Sequence, residues 1–337
     1  MTDQSTYPSP TQLALDKGVL VSWTKSFNCP GVVGQDAARL LTESLHKIDI
    51  RTKGGKRLTV KVVAILNDTT GTLVMGSYDN PHTCIGLILG TGANGAYFEQ
   101  SKNVIRWSNT ETESTRDSRS KNVIIDPEWG AFGDNGCVDF LKTEVDKEID
   151  GASLFPGSFT YEKYFSGKYL GNILRLILWR LNKSGDFLSA VSTTRLGEAD
   201  SLTAEDVSLM VTDLSHKSSD RTRAILGKVT TQSLSEIDER DLKTAQIASY
   251  VISERCSMLV AIPLAVFLER IDRGPEEVSA IAVTGSLYQK HPTIKDSLEK
   301  YTKKWTKNRS KIYTFLSEDG SGKGAALVAA IAAKIHG

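Results

Sequence analysis

The stretch Cys84-Ile-Gly-Leu-Ile-Leu-Gly-Thr-Gly-Ala-Asn-Gly-Ala-Tyr-Phe-Glu-Gln100 places a glycine-rich turn between two short apolar segments. Residues 90–95 match the spacing GxGxxG, which in a dinucleotide-binding fold follows a strand and opens a helix. Here the residues after the turn, 96–99, are aromatic and typical of a strand. The pattern therefore predicts an antiparallel hairpin with strands at residues 84–89 and 96–100, and it disfavours an oxidoreductase of the dinucleotide-binding class.

The hairpin turn itself leaves two interpretations open. It is a structural connection, or its backbone N–H groups around Thr91 and the flanking glycines cradle the phosphates of a nucleotide.

On both sides of the hairpin, short β-branched runs alternate with amphipathic segments. This alternation predicts an α/β sandwich in which a largely parallel sheet is covered on both faces. A βαβ unit is predicted at the start of the chain, and Pro263 is expected to kink or break a long helix near the end. The predicted strands are residues 18–24, 58–66, 104–107, 122–125, 280–284 and 311–316, and the main predicted helices are residues 35–48, 161–181, 238–271, 294–304 and 322–335.

Charge and composition exclude several classes of protein. The 41 Lys and Arg residues nearly balance 40 Asp and Glu residues, so no global field attracts nucleic acid. The densest basic cluster, residues 300–309, is typical of the solvated face of a helix. The longest apolar run, residues 258–268, is too short for a membrane span, and the first residues do not resemble a secretory signal. The four cysteines are scattered, which predicts neither a disulfide framework nor a zinc site and favours the cytoplasm.

Two further glycine-rich turns follow apolar strands. Residues 320–324 read Gly-Ser-Gly-Lys-Gly, but Ser317 and Gly324 stand where a Walker A loop needs Gly and Ser or Thr. This turn is a plain helix start or an anion-favouring helix N-terminus. Gly285 and Ser286 form the third turn. The three turns are expected to converge at neighbouring strand ends, where α/β sheets bind ligands.

Acidic and polar residues also stand at strand ends or among aromatic residues. Asp68 follows a buried-looking strand and is either a helix N-cap or an acid–base group. Glu128 and Glu162 lie among glycines and aromatic residues, where they hold a polyhydroxyl ligand or are ordinary surface acids. Thr24 and Lys25 end the first predicted strand, with the same two alternatives of ligand contact or exposure.

Taken together, these segments resemble the eukaryotic hexokinase/glucokinase family of the actin-like sugar kinases, from about Tyr7 to the C-terminus. The resemblance implies an α/β, actin-like, two-lobed fold. Seven ordered motifs carry it: Leu20-Val-Ser-Trp-Thr-Lys-Ser-Phe27, Leu66-Asn-Asp-Thr-Thr-Gly-Thr72, Leu89-Gly-Thr-Gly-Ala-Asn94, Glu128-Trp-Gly-Ala-Phe-Gly-Asp134, Pro156-Gly157 with Glu162, Thr284-Gly-Ser-Leu-Tyr-Gln-Lys-His-Pro292, and Leu316-Ser-Glu-Asp-Gly-Ser-Gly-Lys-Gly-Ala-Ala-Leu327.

The same resemblance implies ATP-dependent phosphorylation of a glucose-like hexose at its 6-hydroxyl, with Mg²⁺ arriving on the nucleotide. Asp68 is the implied general base, and Lys25 is implied to steady the developing phosphate charge. The implied hexose contacts are Thr24, Lys25, Asn67, Asp68, Asn94, Glu128 and Glu162. The implied nucleotide contacts are Gly90, Thr91, Gly92, Gly167, Lys168, Gly285, Ser286, Gly320 and Ser321.

The chain also departs from the family pattern. The family's first phosphate hairpin, Asp-x-Gly-Gly-Thr-Asn, does not occur in it, and Gly54-Gly55 reads only as a turn. We therefore expect an incomplete small domain at residues 1–66, a large domain at 67–316 and a C-terminal helix at 317–337 that returns to the small domain. Sheet edges left open in this way favour self-association. The alternative function is a non-catalytic hexokinase-like sugar-binding or regulatory protein, or an inactive truncated isoform.

Overall fold

A computed structural model describes residues 17–21, 29–104, 122–189, 194–230, 237–271, 274, 277–307 and 311–336. Its elements in chain order are α1 (Ala37–His46), α2 (Asp68–Asp79), β1 (Thr83–Leu89), β2 (Ala93–Gln100), β3 (Asn122–Ile125), α3 (Glu144–Gly151), α4 (Thr160–Lys163), α5 (Gly167–Lys183), α6 (Ala204–His216), α7 (Asp220–Val229), α8 (Glu239–Arg270), β4 (Ser279–Thr284), α9 (Ser286–Lys290), α10 (Ile294–Trp305), β5 (Ile312–Leu316) and α11 (Gly320–His336). Single 3-10 turns lie at Ser101–Asn103, Trp129–Ala131, Asp139–Leu141 and Thr194–Gly197.

The five strands form one mixed sheet in the order β3-β2-β1-β4-β5. Strand β1 pairs antiparallel with β2 and parallel with β4, while β2–β3 is antiparallel and β4–β5 is parallel. The predicted hairpin is confirmed, although its turn is shorter than expected because β2 already begins at Ala93. The expectation of a largely parallel sheet is wrong for this half, since a three-residue turn can only return the chain antiparallel. The residues directly after Gly95 continue strand β2 and do not open a helix, so the dinucleotide-binding interpretation is excluded.

Helices bury the sheet. Helix α2 packs against β1, and α11 packs against α2. The second contact is close, because a Cβ placed on Gly324 would lie 2.0 Å from the carbonyl oxygen of Gly71. Helices α5, α6, α8 and α10 form the rest of the core with β1 and β4.

The predicted βαβ unit at the start of the chain is wrong in part. Helix α1 is confirmed, and residues 22–24 of the first predicted strand lie outside the described residues. Of the described part, Val19 only forms an isolated bridge with Asp36. Residues 58–66 form no strand with any described residue. A β-branched run becomes a strand only where a neighbouring backbone pairs with it, and local propensity does not supply that neighbour.

One long helix differs from its prediction, and a second is confirmed in extent. The helix expected at 161–181 is interrupted between Lys163 and Gly167, because the N–H of Gly167 donates to the carbonyl of Gly90 at 2.9 Å and that of Lys168 to Thr91 at 3.0 Å. Helix α8 matches the helix expected at 238–271 and does not break at Pro263, and a kink there stays a prediction. The strand expected at 104–107 lies mostly outside the described residues, and the division into residues 1–66, 67–316 and 317–337 stays a prediction.

Helix α8 is also the one helix among the described residues whose length and composition would suit a membrane span. Its apolar window is 67% buried inside the fold. It packs against α6 and α10, as the core helix of a globular domain does.

Candidate functional site

The start of α2 presents two neighbouring polar side chains. Asn67 is the N-cap, and its Oδ1 accepts hydrogen bonds from the Thr69 N–H at 2.8 Å and the Thr69 hydroxyl at 2.6 Å. The N-cap interpretation of Asp68 is therefore wrong, because Asn67 fills that position. Asp68 is the first residue of the helix and its side chain is exposed. A carboxylate at this place is stabilised by the positive end of the helix dipole.

Glu128 reaches the same place from a distant part of the chain. Its Oε1 accepts a 2.8 Å hydrogen bond from Nδ2 of Asn67. The residue adopts a left-handed backbone conformation, with φ of 47°, and its N–H donates to Oδ1 of Asp126. The next residue, Trp129, is buried and its indole N–H donates to the carbonyl of Ala93 at 2.8 Å. This anchor keeps the segment in place while Glu128 stays exposed.

Asn94 is the second residue of β2 after the hairpin turn, and it is buried. Its Nδ2 donates to Oδ1 of Asp126 at 2.8 Å, the same oxygen that accepts from Glu128. Its Oδ1 accepts from the N–H of Trp129 at 3.4 Å. Asp126 therefore ties together two of the predicted hexose contacts, a role that sequence reasoning missed.

Glu162 is carried by the short helix α4, and its Oε2 accepts from the N–H of Ala93 at 3.0 Å. The side chain of Asp134 holds the start of this helix. It accepts hydrogen bonds from the N–H of Phe159 at 2.8 Å, the N–H of Thr160 at 2.9 Å and the Thr160 hydroxyl at 2.7 Å. Asp134 closes the motif that starts at Glu128, so one segment positions both glutamates. The motif marked Asp134 in the sequence, but its function as an anchor was not predicted.

The structure thus brings Asn67, Asn94, Glu128 and Glu162 together through direct bonds and through Asp126 and Ala93, and it places Asp68 beside them. Carboxylates and amides in this density suit a ligand with several hydroxyl groups. The other two predicted contacts, Thr24 and Lys25, lie outside the described residues.

The predicted nucleotide contacts meet next to this cluster. Gly285 has φ of +137°, and a Cβ there would lie 2.3 Å from the carbonyl oxygen of Leu89. A Cβ on Gly90 would lie 3.5 Å from Cα of Gly285, and one on Gly320 would lie 2.7 Å from the Thr284 hydroxyl. The three glycine-rich turns therefore do converge at the ends of β1, β4 and β5.

Three details refine this side of the site. Helix α11 begins at Gly320, so Gly320 and Ser321 form its first turn rather than a loop before it. Ser286 begins α9, directly after Gly285. Thr91 and Gly92 complete the hairpin turn, whose carbonyl groups at Gly90 and Thr91 receive the first N–H groups of α5 at Gly167 and Lys168.

Among the described residues, no group of three or more His, Cys, Asp or Glu side chains is placed to hold a metal ion. The four cysteines are free thiols, with Cys84 and Cys256 buried and Cys29 and Cys137 exposed.

Comparisons with known proteins agree with this architecture. Residues 84–331 match one hexokinase family model and residues 6–78 match another. The chain is 34% identical to hexokinase-1 of Homo sapiens over 334 residues, which cover 98% of this chain and 34% of that protein. It is 36% identical to hexokinase-3 of Mus musculus over 328 residues, or 96% of this chain and 33% of that protein.

Solved structures show the same relationship. A hexokinase from Schistosoma mansoni complexed with glucose superimposes with a TM-score of 0.80 at 34% identity, covering 95% of this chain and 67% of that one. A second hexokinase crystal structure gives a TM-score of 0.73 at 25% identity, covering 95% and 65%. The fold is that of the actin-like sugar kinases. Within that class, the chain belongs to the hexokinase family, and it spans about a third of the length of the curated relatives it matches.

Proposed function

We propose that this chain phosphorylates a glucose-like hexose at its 6-hydroxyl with MgATP as the phosphoryl donor. The observation that carries the proposal is the hydrogen bond between Asn67 and Glu128, two predicted hexose contacts, the first of which is the neighbour of Asp68 in the chain. Two findings support it further: the family of the chain, and the glucose named for the Schistosoma mansoni structure.

In this reaction Asp68 takes the proton from the attacking 6-hydroxyl. A carboxylate within hydrogen-bond reach of the nucleophile is suited to that step, since phosphoryl transfer depends mainly on positioning and on charge stabilisation. Asn67, Asn94, Glu128 and Glu162 hold the other hydroxyl groups, together with Thr24 and Lys25. Lys25 also steadies the charge that develops on the transferred phosphoryl group.

The nucleotide occupies the junction of the three glycine-rich turns. The absence of side chains at Gly90, Gly285 and Gly320 lets the three turns pack closely against one another. Backbone N–H groups of turns gathered in this way are suited to bind phosphates. Thr91, Gly92, Gly167, Lys168, Ser286 and Ser321 complete this wall. Mg²⁺ belongs to the substrate, since it enters bound to ATP.

Two measurements on the purified full chain test the proposal. Titration calorimetry with glucose should give saturable binding, and a coupled assay with MgATP should give glucose-dependent ADP production. Absence of glucose-dependent ADP production would overturn the proposal. Glucose binding without ADP production would support the alternative, a sugar-binding protein without kinase activity.

A further inference from the structure

An apolar cavity lies behind the segment that carries Glu128. It has a volume of about 350 Å³ and is bounded by residues 127–132 on one side and by helix α8 on the other. Its floor is formed by Trp129, Tyr161 and Phe267, all of which are buried. Phe132 and Val266 stand at its rim and are about half exposed. Among the predicted hexose and nucleotide contacts that the structure describes, Glu128 is the one that lines this cavity.

The walls of the cavity are aromatic and mutually supported. Trp129 stacks on Phe267 with ring centroids 5.6 Å apart, and Phe132 meets the edge of Tyr161 at 5.5 Å. The Tyr161 hydroxyl donates to the carbonyl of Leu259 at 2.7 Å, which fixes its ring against α8. The cavity is therefore preformed, and its volume lies within the range of small-molecule sites.

The charge of the residues around the cavity determines which kind of aromatic ligand it favours. Of the described residues that line the cavity, Glu128 is the one that is charged at neutral pH, and none is basic. The faces of aromatic rings also carry negative electrostatic potential and attract cations. A carboxylate accepts several hydrogen bonds at once, so its bond to Asn67 is compatible with attraction of a cation. An anionic ligand meets repulsion from the same groups.

We propose that this cavity binds a flat aromatic compound that carries a single positive charge, with its ring between the aromatic walls and its charge at the Glu128 edge. Glu128 is also a hexose contact in the proposed function. This part of the proposal rests on the proposed function: the two ligands compete for the carboxylate of Glu128. A ligand in the cavity therefore lowers the affinity of the chain for glucose, and glucose lowers its affinity for that ligand by the same factor.

The probe for the test is proflavine, a flat diaminoacridine that is a monocation at neutral pH, titrated into the full chain and followed by its fluorescence. We expect saturable binding at one site, and at least tenfold weaker binding of the anionic dye 8-anilinonaphthalene-1-sulfonate. The decisive variant is Val266→Lys, which places a cation at the rim and should weaken proflavine binding at least tenfold. Val266 is 53% exposed, so the substitution leaves the core intact.

The matched control is Val251→Lys, on the same helix but outside the cavity, where the side chain is 57% exposed. It should bind proflavine like the unaltered chain. Equal affinities in the two lysine variants, or stronger binding of the anionic dye, would overturn the proposal.

A second titration separates the cavity from the hexose site. If calorimetry shows that glucose binds, saturating glucose should weaken proflavine binding, and an unchanged affinity would refute the shared use of Glu128. If glucose does not bind while the difference between the two lysine variants persists, the proposed function fails and the cavity site stands.

Discussion

The side-chain amide of Asn67 donates a 2.8 Å hydrogen bond to Glu128, which lies 61 residues further along the chain. The oxygen of the same amide caps helix α2 through Thr69. One side chain therefore fixes the start of a helix and joins it to the segment that carries a predicted hexose contact. This relationship holds Asp68 and Glu128 in one site.

The Asn67–Glu128 bond predicts a coupling between two substitutions. Asn67→Asp keeps the capping oxygen but faces one carboxylate with another, and should lower the free energy of unfolding by about 0.5–1 kcal/mol. When Glu128→Gln is added to Asn67→Asp, the glutamine amide can donate to the new aspartate, so the bond forms with donor and acceptor exchanged. The double variant should therefore regain at least half of the lost free energy of unfolding. Urea unfolding of the two single variants and the double variant measures this. Purely additive effects would show that the bond does not form in solution.

Tyr161 compensates for a proline inside helix α8. Pro263 has no N–H, so the carbonyl of Leu259, four residues earlier, lacks its helical donor, and the Tyr161 hydroxyl supplies one at 2.7 Å. Burial raises the pKa of this phenol, which keeps it protonated as a donor. Tyr161→Phe should cost about 1–3 kcal/mol of unfolding free energy, because it leaves a buried carbonyl without a partner.

The matching test of that explanation is Pro263→Ala, which returns the backbone N–H. In the Pro263→Ala background the cost of Tyr161→Phe should fall well below its value in the unaltered chain, as measured by urea unfolding. An equal cost in both backgrounds would mean that the hydroxyl does not serve Leu259.

The contact between α2 and α11 depends on the absence of a side chain at Gly324. A Cβ there would lie 2.0 Å from the carbonyl oxygen of Gly71, so Gly324→Ala must push the two helices apart. We expect a loss of about 1–3 kcal/mol. Gly151→Ala is the control, because a Cβ at that helical position meets nothing within 4 Å and should be neutral or mildly stabilising. Thermal unfolding that ranks the two variants in the opposite order would contradict the packing described here.

Burial of His291 predicts a pH dependence of stability. Its Nε2 lies 2.9 Å from the Ser253 hydroxyl, and burial lowers the pKa of the imidazole to about 4. The unfolded chain binds the proton near pH 6.5, so this contribution to stability is complete above that pH and is lost as the pH falls towards 4. Between pH 7.5 and 5.5 the loss from this group is about 1.3 kcal/mol.

The check is urea unfolding of the unaltered chain, His291→Gln and His82→Gln at both pH values. His82 is exposed, so its replacement is the control for removing an imidazole from the surface rather than from the core. Between the two pH values, the free energy of unfolding should fall distinctly less for the His291 variant than for the unaltered chain. The same loss in all three proteins would show that His291 is not buried as a neutral imidazole.

The parts of the fold that the sequence predicted correctly are those with local causes. The hairpin at β1 and β2 follows from an apolar run, a glycine-rich turn and an aromatic run within seventeen residues. The missed features depend on distant partners. The break before α5 arises because Gly167 bonds to Gly90, 77 residues away in the chain, and the strand expected at 58–66 has no neighbour to pair with among the described residues.

In the candidate site, too, the residues of local motifs were predicted and the contacts between distant residues were not. Motif resemblance identified Asn67, Asp68 and Glu128, and the structure brings them together. The motif resemblance did not indicate that Asp126 would join Asn94 to the backbone of Glu128. Nor did it indicate that Asp134 would anchor the helix of Glu162. The bonds from Asp126 to Asn94 and from Asp134 to Phe159 and Thr160 span 25 residues or more, and no local pattern encodes such contacts.

The most direct test of the central claim is the rate of glucose-dependent ADP production by Asp68→Asn beside Asp79→Asn. Both aspartates are exposed and stand at opposite ends of helix α2, so the two variants change charge equally on one element. The account predicts that Asp68→Asn lowers the rate at least about 100-fold while glucose still binds, and that Asp79→Asn retains the rate of the unaltered chain. Equal rates in the two variants would contradict the assignment of Asp68 as the general base.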